Sequence, residues 1–243
     1  MTVLAAPEQS RLLTQILDSV RSVAADGKTP VLVLDLDHTL FDNGPRTIAI
    51  LRMFARETGR TALYERLMAL PERHQPYLIS DILARVDEHD KAVASEAFGY
   101  WRDRFFYDEH IHHDIPMEGA ASFCTEAFEA GATLVYLTGR DSPNMLVGTT
   151  ISLRTHGYPV GVAHTVMVLK PAFEIPDLEF KTDAVSFIRT LGHVVASFDN
   201  EPGNCNLFGR EFPECDSVFL DTAMAPGAPP LDDGIPSMTN FQR

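Results

Sequence analysis

Short apolar runs rich in branched residues, alternating with segments of helical period, constrain this chain more than any other feature. VLVL at 31–34 is followed much later by ATLVYL at 132–137, TVMVL at 165–169, HVVASF at 193–198 and SVFL at 217–220. Segments such as AASFCTEAFEAG, Asn144 to His156 and Thr182 to Thr190 lie between them and read as helices. A run with no polar alternation fits a strand covered on both faces, and parallel neighbours need a long crossover that a helix supplies. The expectation is an α/β fold, a Rossmann-like parallel sheet with helices on both faces.

The apolar runs share a second property: each principal run stops at a polar group. VLVLDLD delivers Asp35 and Asp37, LVYLTGR delivers Thr138 and Arg140, TVMVLK delivers Lys170, and VVASFDN delivers Asp199. In an open parallel sheet, ligands bind outside the carboxyl ends of the strands, so residues distant in sequence converge on one edge.

Between Asn43 and about Pro116 no strand pattern appears. Ile48, Leu51 and Phe54 recur at helical spacing, as do Leu63, Leu67 and Leu70, and Tyr77–Val86 and Val93–Phe106 supply two further helical segments. This stretch reads as an all-helical insert of about four helices, with Gly99 its awkward member. At the start of the chain, Leu12, Leu13, Ile16, Leu17 and Val20 predict a helix with Ser10 as its N-cap. The final MAPGAPPLDDGIPSMTNFQR is rich in turn formers and is expected to run over the surface.

Composition limits the partners. The formal net charge of −14 repels nucleic-acid backbones, and no basic stripe offsets it. It repels phosphate esters as well, so a phosphate site here has to rely on a metal ion and local donors. No apolar run is long enough to span a bilayer, and no basic region followed by an apolar stretch marks a secretory signal. The cysteines, Cys124, Cys205 and Cys215, are too few and too scattered for a disulfide framework. A cytoplasmic protein acting on a small phosphorylated molecule, as monomer or homodimer, with no nucleic acid or membrane partner, is the expectation.

Asp35 and Asp37 suit one chemistry in particular. One carboxylate attacks phosphorus to give an aspartyl-phosphate; the other protonates the departing alcohol and then activates water. Two carboxylates facing a phosphate need a divalent cation, and hard oxygen ligands favour Mg2+.

DLDHTLF at 35–41 resembles the first motif of the haloacid dehalogenase-like hydrolases, in its phosphatase form. LTGR at 137–140 resembles the second, KPAFEIPDLEFK holds two candidates for the third, and FDNEPGN resembles the fourth, all in family order across residues 31–221. The resemblance implies a catalytic core of residues 1–42 and 117–243 with a helical cap at 43–116. It also implies Mg2+-dependent hydrolysis of a phosphate monoester. Asp35 would be the nucleophile, Asp37 the general acid/base, and Thr138 with the backbone around Leu36 and Gly139 would hold phosphoryl oxygens. Lys181, expected just before a helix starting near Thr182, would be the third-motif cation, with Lys170 as rival or substrate contact. Asp35, the carbonyl of Asp37 and Asp199 would hold the metal. The fourth motif departs from the usual pattern: Asn200, Glu201 and Asn204 stand where a second aspartate is common. Phosphoryl transfer through the same intermediate, or a catalytically weak phosphate-binding protein, are the alternatives.

Blander roles remain for several residues. Arg140 also fits a surface ion pair, and His112 and His113 beside Asp114 lack a spaced partner for zinc. Trp101, Phe105 and Phe106 fit core packing as well as a cap surface.

Overall fold

The computed structural model describes residues 2–243. In chain order its elements are α1 (Ala6–Ala25), β1 (Pro30–Leu34), β2 (Phe41–Asp42), α2 (Gly44–Glu57), α3 (Thr61–Ala69), α4 (Ile79–Arg85), α5 (Lys91–Phe105), α6 (Asp108–Ile111), β3 (Ile115–Pro116), α7 (Ala120–Glu129), β4 (Thr133–Asp141), α8 (Ser142–Thr155), β5 (Thr165–Lys170), α9 (Asp177–Leu191), β6 (His193–Asp199), α10 (Pro202–Glu211), β7 (Asp216–Leu220) and β8 (Ser237–Met238).

Six strands form one sheet in the order β5-β4-β1-β6-β7-β8, every neighbouring pair parallel. The chain leaves β1 toward β4 and β5, then returns to the other side of β1 at β6. Strand order therefore reverses between β1 and β6, and a crevice opens there at their carboxyl ends. Side chains of β1 alternate between the two faces. Leu32 and Leu34 join α1, α7 and Phe198 in one core cluster, and Val31 and Val33 join Phe180, Ile188 and Phe208 in another. Both faces of the sheet are thus covered, which explains why its strands carry no polar alternation.

β2 and β3 make a separate antiparallel pair, Phe41 opposite Pro116 and Asp42 opposite Ile115. The helices α2 to α6 are all inserted between these two strands. They carry their own apolar cluster, Ile48, Leu51, Phe54, Leu63, Leu67, Ile82 and Leu83 among it. Gly99 lies inside α5 with open space around it, so the helix passes through at only the entropic cost of a glycine.

Three boundaries differ from the sequence reading. α1 begins at Ala6, because Pro7 sits in the first turn and the Ala5 N–H donates to the Glu8 carboxylate at 3.1 Å; Ser10 lies within the helix. α9 begins at Asp177, after Pro176 in extended conformation and with Asp177 and Glu179 in its first turn, so Lys181 is inside the helix and not before it. The C-terminal segment does more than cover the surface. β8 pairs with β7, Met238 is fully buried, and Phe241 packs on Phe123 and Phe198 at 5.5 and 5.2 Å. Turn-forming residues here space out two apolar anchors. Among the described residues no helix is long and apolar enough to cross a membrane.

Candidate active site

Asp35 follows β1 directly, and its N–H donates to the Phe198 carbonyl of β6 at 3.0 Å, which extends the strand pairing to the edge of the crevice. Across that crevice Asp199 ends β6. Lys181, reaching in from α9, donates to Asp35 Oδ1 and Asp199 Oδ2, both at 2.7 Å. All three side chains are almost fully buried. Burial pushes the Asp35 carboxyl up to about 7 against the pull of Lys181, with Asp199 and Asp37 adding to the rise. One ammonium shared by two carboxylates does not balance both. Lys181 itself is held firmly protonated: burial opposes the charge, and Asp199 and Asp35 outweigh it.

Asp37 lies in a different environment. Arg140 donates to both of its oxygens, at 2.9 Å from Nε and 2.8 Å from a terminal nitrogen, and Arg46 adds a contact of 2.7 Å. Arg46 also grips Asp114 at 2.8 and 3.0 Å, and Arg140 reaches the same carboxylate at 2.7 Å. The result is a closed ring of two arginines and two carboxylates, with Arg46, Arg140 and Asp114 essentially without exposure and Asp37 28% exposed. Burial would raise the Asp37 pKa, but Arg140 and Arg46 outweigh it and hold the group well below the usual carboxylate range. Arg46 belongs to the first helix of the insert and Asp114 to its return, so the ring ties both chain crossings of the insert to the core. The Arg46 guanidinium also stacks on Phe105, 3.9 Å from its ring centroid, and donates to the Phe105 carbonyl at 2.9 Å.

The remaining sequence candidates surround this centre in different ways. Thr138 is fully buried; its hydroxyl accepts the Arg140 N–H at 3.2 Å, and it is not among the residues lining the cavity. Gly139 does line the cavity, and a Cβ there would lie 2.2 Å from an Asp177 carboxylate oxygen, so no larger residue fits without moving Asp177. Lys170 is nearly buried and committed: it donates to the carbonyls of Phe173 and Ile175 and to Asp177, at 3.1, 3.0 and 2.9 Å. It thereby staples the loop between β5 and α9. In the fourth motif, Asn204 Nδ2 and the Glu201 N–H donate to Asp199 Oδ1 at 3.1 and 2.9 Å, and Asn200 donates to the Ala223 carbonyl at 2.6 Å. Glu201 accepts from the Ala225 N–H at 2.9 Å, and burial raises its pKa.

Among the described residues no group of three or more His, Cys, Asp and Glu side chains is arranged to hold a metal ion. The donor set at the crevice nevertheless fits a hard cation that keeps most of its waters. It offers two buried carboxylates, Asp35 and Asp199, with one ammonium between them and an excess of negative charge. The Asp37 carboxylate is turned to the arginines, leaving its backbone carbonyl as that residue's donor.

A cavity of 170 Å³ opens over Asp35, Asp37, Lys181 and Asp199. Its far wall comes from the insert: Tyr77, Trp101, Phe105 and Phe106. Sequence reasoning missed Arg46 and Asp114 as members of the site and gave Arg140 no partner. The available signal was slight: one arginine early in the first helix of the insert and one aspartate just before its return. His110, His112 and His113 cluster near that return, and none of them lines the cavity.

No protein-family model matches the chain, and no curated protein matches it in sequence. Solved structures resemble it. Protein Tyrosine Kinase A of Mycobacterium tuberculosis superposes with a TM-score of 0.52 at 15% identity, covering 86% of this chain and 94% of that one. A haloacid dehalogenase-like family hydrolase of Streptococcus pneumoniae gives 0.47 at 16% identity, covering 79% and 84%. The Class C acid phosphatase of Bacillus anthracis with tungstate bound gives 0.44 at 16%, covering 82% and 66%. At 15% identity the first of these likenesses, with a TM-score above 0.5, is one of fold.

Proposed function

We propose that this protein is a phosphate-monoester hydrolase of the haloacid dehalogenase-like type, working through an aspartyl-phosphate on Asp35. The observation that carries this reading is the triad at the strand-order reversal: Asp35 and Asp199 bridged by Lys181 at 2.7 Å on each side. A carboxylate at the end of a buried strand, beside a fixed positive charge and open to a cavity, suits in-line attack on phosphorus.

Asp35 attacks the phosphorus and the ester oxygen departs. Lys181 keeps the nucleophile oriented and offsets charge that builds on the transferring group. Backbone N–H groups around Leu36 and Gly139, and the Thr138 hydroxyl once it gives up Arg140, take the phosphoryl oxygens. Asp37 handles the proton. Its carboxylate accepts the proton of the water that hydrolyses the intermediate. To protonate the leaving oxygen in the first step it must loosen an arginine contact, since that pairing keeps it ionised, and carry a proton taken up from solvent or kept from the water of the preceding turnover. Magnesium, held by Asp35, Asp199 and the Asp37 carbonyl, would neutralise the phosphate and so allow a dianion to approach this acidic site. Asn204 and Glu201 support Asp199 from behind, in the place of a second fourth-motif aspartate.

The test is phosphate release from a broad monoester panel with Mg2+, for the wild type and Asp35→Asn. Release by the wild type alone is expected. Undiminished release by a purified, folded Asp35→Asn protein would remove Asp35 from the nucleophile role. Adding alcohol acceptors to the same assay separates hydrolysis from phosphoryl transfer, the second use of the same intermediate.

A further inference from the structure

The insert's aromatic wall over Asp35 is shared by two hollows. Tyr77, Trp101 and Phe106 also line a second hollow of 410 Å³ on their outer side, walled by Leu78, Phe98 and Phe173. The rings form a chain: Phe98 to Trp101 at 5.9 Å, Trp101 to Phe106 at 5.7 Å, and Phe106 to Phe173 at 4.9 Å. Phe173 comes from the core loop that Lys170 staples, so core and insert meet edge to face across this groove. Tyr77, Leu78, Phe98 and Phe173 are 41–48% exposed, a cost in water for large apolar groups gathered at one place.

Charge narrows the choice of occupant. The catalytic cavity is lined by five carboxylates and three cations, and each cation is already engaged: Lys181 by Asp35 and Asp199, Arg140 by Asp37 and Asp114, Lys170 by Asp177. A second anionic group on the substrate would find no free partner there. The outer groove holds no carboxylate, so a cationic group would be unpaired there, and its one charged lining residue, Arg102, already faces Asp103 at 3.5 Å and offers no free partner to an anion. What remains is an uncharged, apolar, flat moiety, and flat rings pack well against aromatic faces and edges. About 150 Å³ suffices for a benzene ring in a protein cavity, and the groove exceeds that.

We propose that the alcohol released is uncharged and aromatic, its ring passing the Tyr77–Trp101–Phe106 wall and seating in the groove beside Phe98 and Phe173. This rests on the phosphatase reading and specifies its substrate class.

Alkyl esters test it, none with a phenolate leaving group: 2-phenylethyl phosphate against propyl phosphate as the pair of similar leaving-oxygen basicity, with glycerol, 2-aminoethyl and bis-phosphorylated alkyl esters beside them. The expected kcat/KM favours the phenylethyl ester over the propyl ester roughly ten- to hundredfold, the size of burying one ring. Phe98→Ala and Phe173→Ala are expected to shrink that ratio severalfold. A readout without turnover comes from Trp101, the single tryptophan of the chain. Saturable change of its emission is expected with benzylphosphonate, and at far higher concentration with propylphosphonate. Equal kcat/KM for phenylethyl and propyl esters, preference for the amine or the bisphosphate, or no emission response to benzylphosphonate overturns the assignment. Phosphate release without aryl preference overturns this inference alone; no release from any ester overturns the phosphatase reading with it.

Discussion

Replacing Arg46 by Met removes one charge from the buried ring and keeps most of the side chain's apolar bulk. Arg46 is fully buried and donates to Asp37 at 2.7 Å, to Asp114 at 2.8 and 3.0 Å and to the Phe105 carbonyl at 2.9 Å. In the variant, two carboxylates share Arg140 alone and the Phe105 carbonyl loses this donor. Removing one partner from a buried charge pair costs about 3–5 kcal/mol, because the other is left uncompensated. At roughly 2–4 °C per kcal/mol for a chain of this size, the melting temperature should fall by roughly 6–20 °C. Urea unfolding is the assay, with an unchanged m value showing that the loss is one of stability. Arg46→Met combined with Asp114→Asn removes one charge of each sign and should be less destabilised than the sum of the single variants, by about 1 kcal/mol or more. The gap between wild type and Arg46→Met should also shrink as pH falls below 3.8, the ordinary value for Asp37: a depressed pKa contributes stability above that value and loses it as the group takes up its proton. A loss under about 1 kcal/mol, or strict additivity with Asp114→Asn, would show that the ring does not hold the insert to the core.

Other perturbations address the crevice at Asp35. Asp35 is raised to about 7 by burial, and a cation needs its ionised form, so Mg2+ should bind more tightly as pH rises to about 7. Below that value the affinity is expected to fall up to about tenfold per pH unit, read by calorimetry; a flat profile from pH 5 to 8, as an order-of-magnitude window around it, would contradict the raised value. Lys181→Met leaves Asp35 and Asp199 facing each other without their ammonium, and turnover should drop by roughly 10²-fold or more, as when an oriented charge-stabilising group is lost. Near-normal kcat in that variant would deny Lys181 its role. Chelation should stop phosphate release, and added Mg2+ should restore it with no change in far-ultraviolet circular dichroism; activity that persists after exhaustive chelation would argue against a metal-assisted reaction. Gly139→Ala drives a Cβ into Asp177 and should weaken phosphate binding through the displaced loop, seen as a raised KM; an unaltered KM would mean that the loop's position is immaterial.

The parallel sheet was legible because its central strands are buried on both faces, and VLVL and HVVASF announce that directly; the edge run TVMVLK is as apolar although it is only half-buried. Residues at strand ends were legible for the same reason, since topology alone carries Asp35, Thr138, Lys170 and Asp199 to one edge. The direction of a side chain there was not. Asp35 and Asp37 look alike in sequence, yet one faces Lys181 and the other two arginines, because the chain leaves β1 at Leu34 and strand alternation no longer sets the direction of residues two apart. Arg46 and Asp114 were silent because they meet across 68 positions, with no local pattern between them. The start of α9 was misplaced for a local reason: Pro176 and the acidic first turn outweigh the apolar period on which the reading relied. The tail's proline and glycine hid Met238 and Phe241, two apolar residues that the core closes on.

A covalent phosphate on Asp35 is the most direct consequence of the proposed chemistry. Wild-type protein turning over a monoester in the presence of Mg2+ can be quenched and reduced with borohydride, which converts an aspartyl-phosphate to homoserine. Peptide mass spectrometry should find that conversion at Asp35 and at no other carboxylate. Turnover that proceeds with Asp35 unmodified throughout, or with the label on Asp37 or Asp199, would contradict the account.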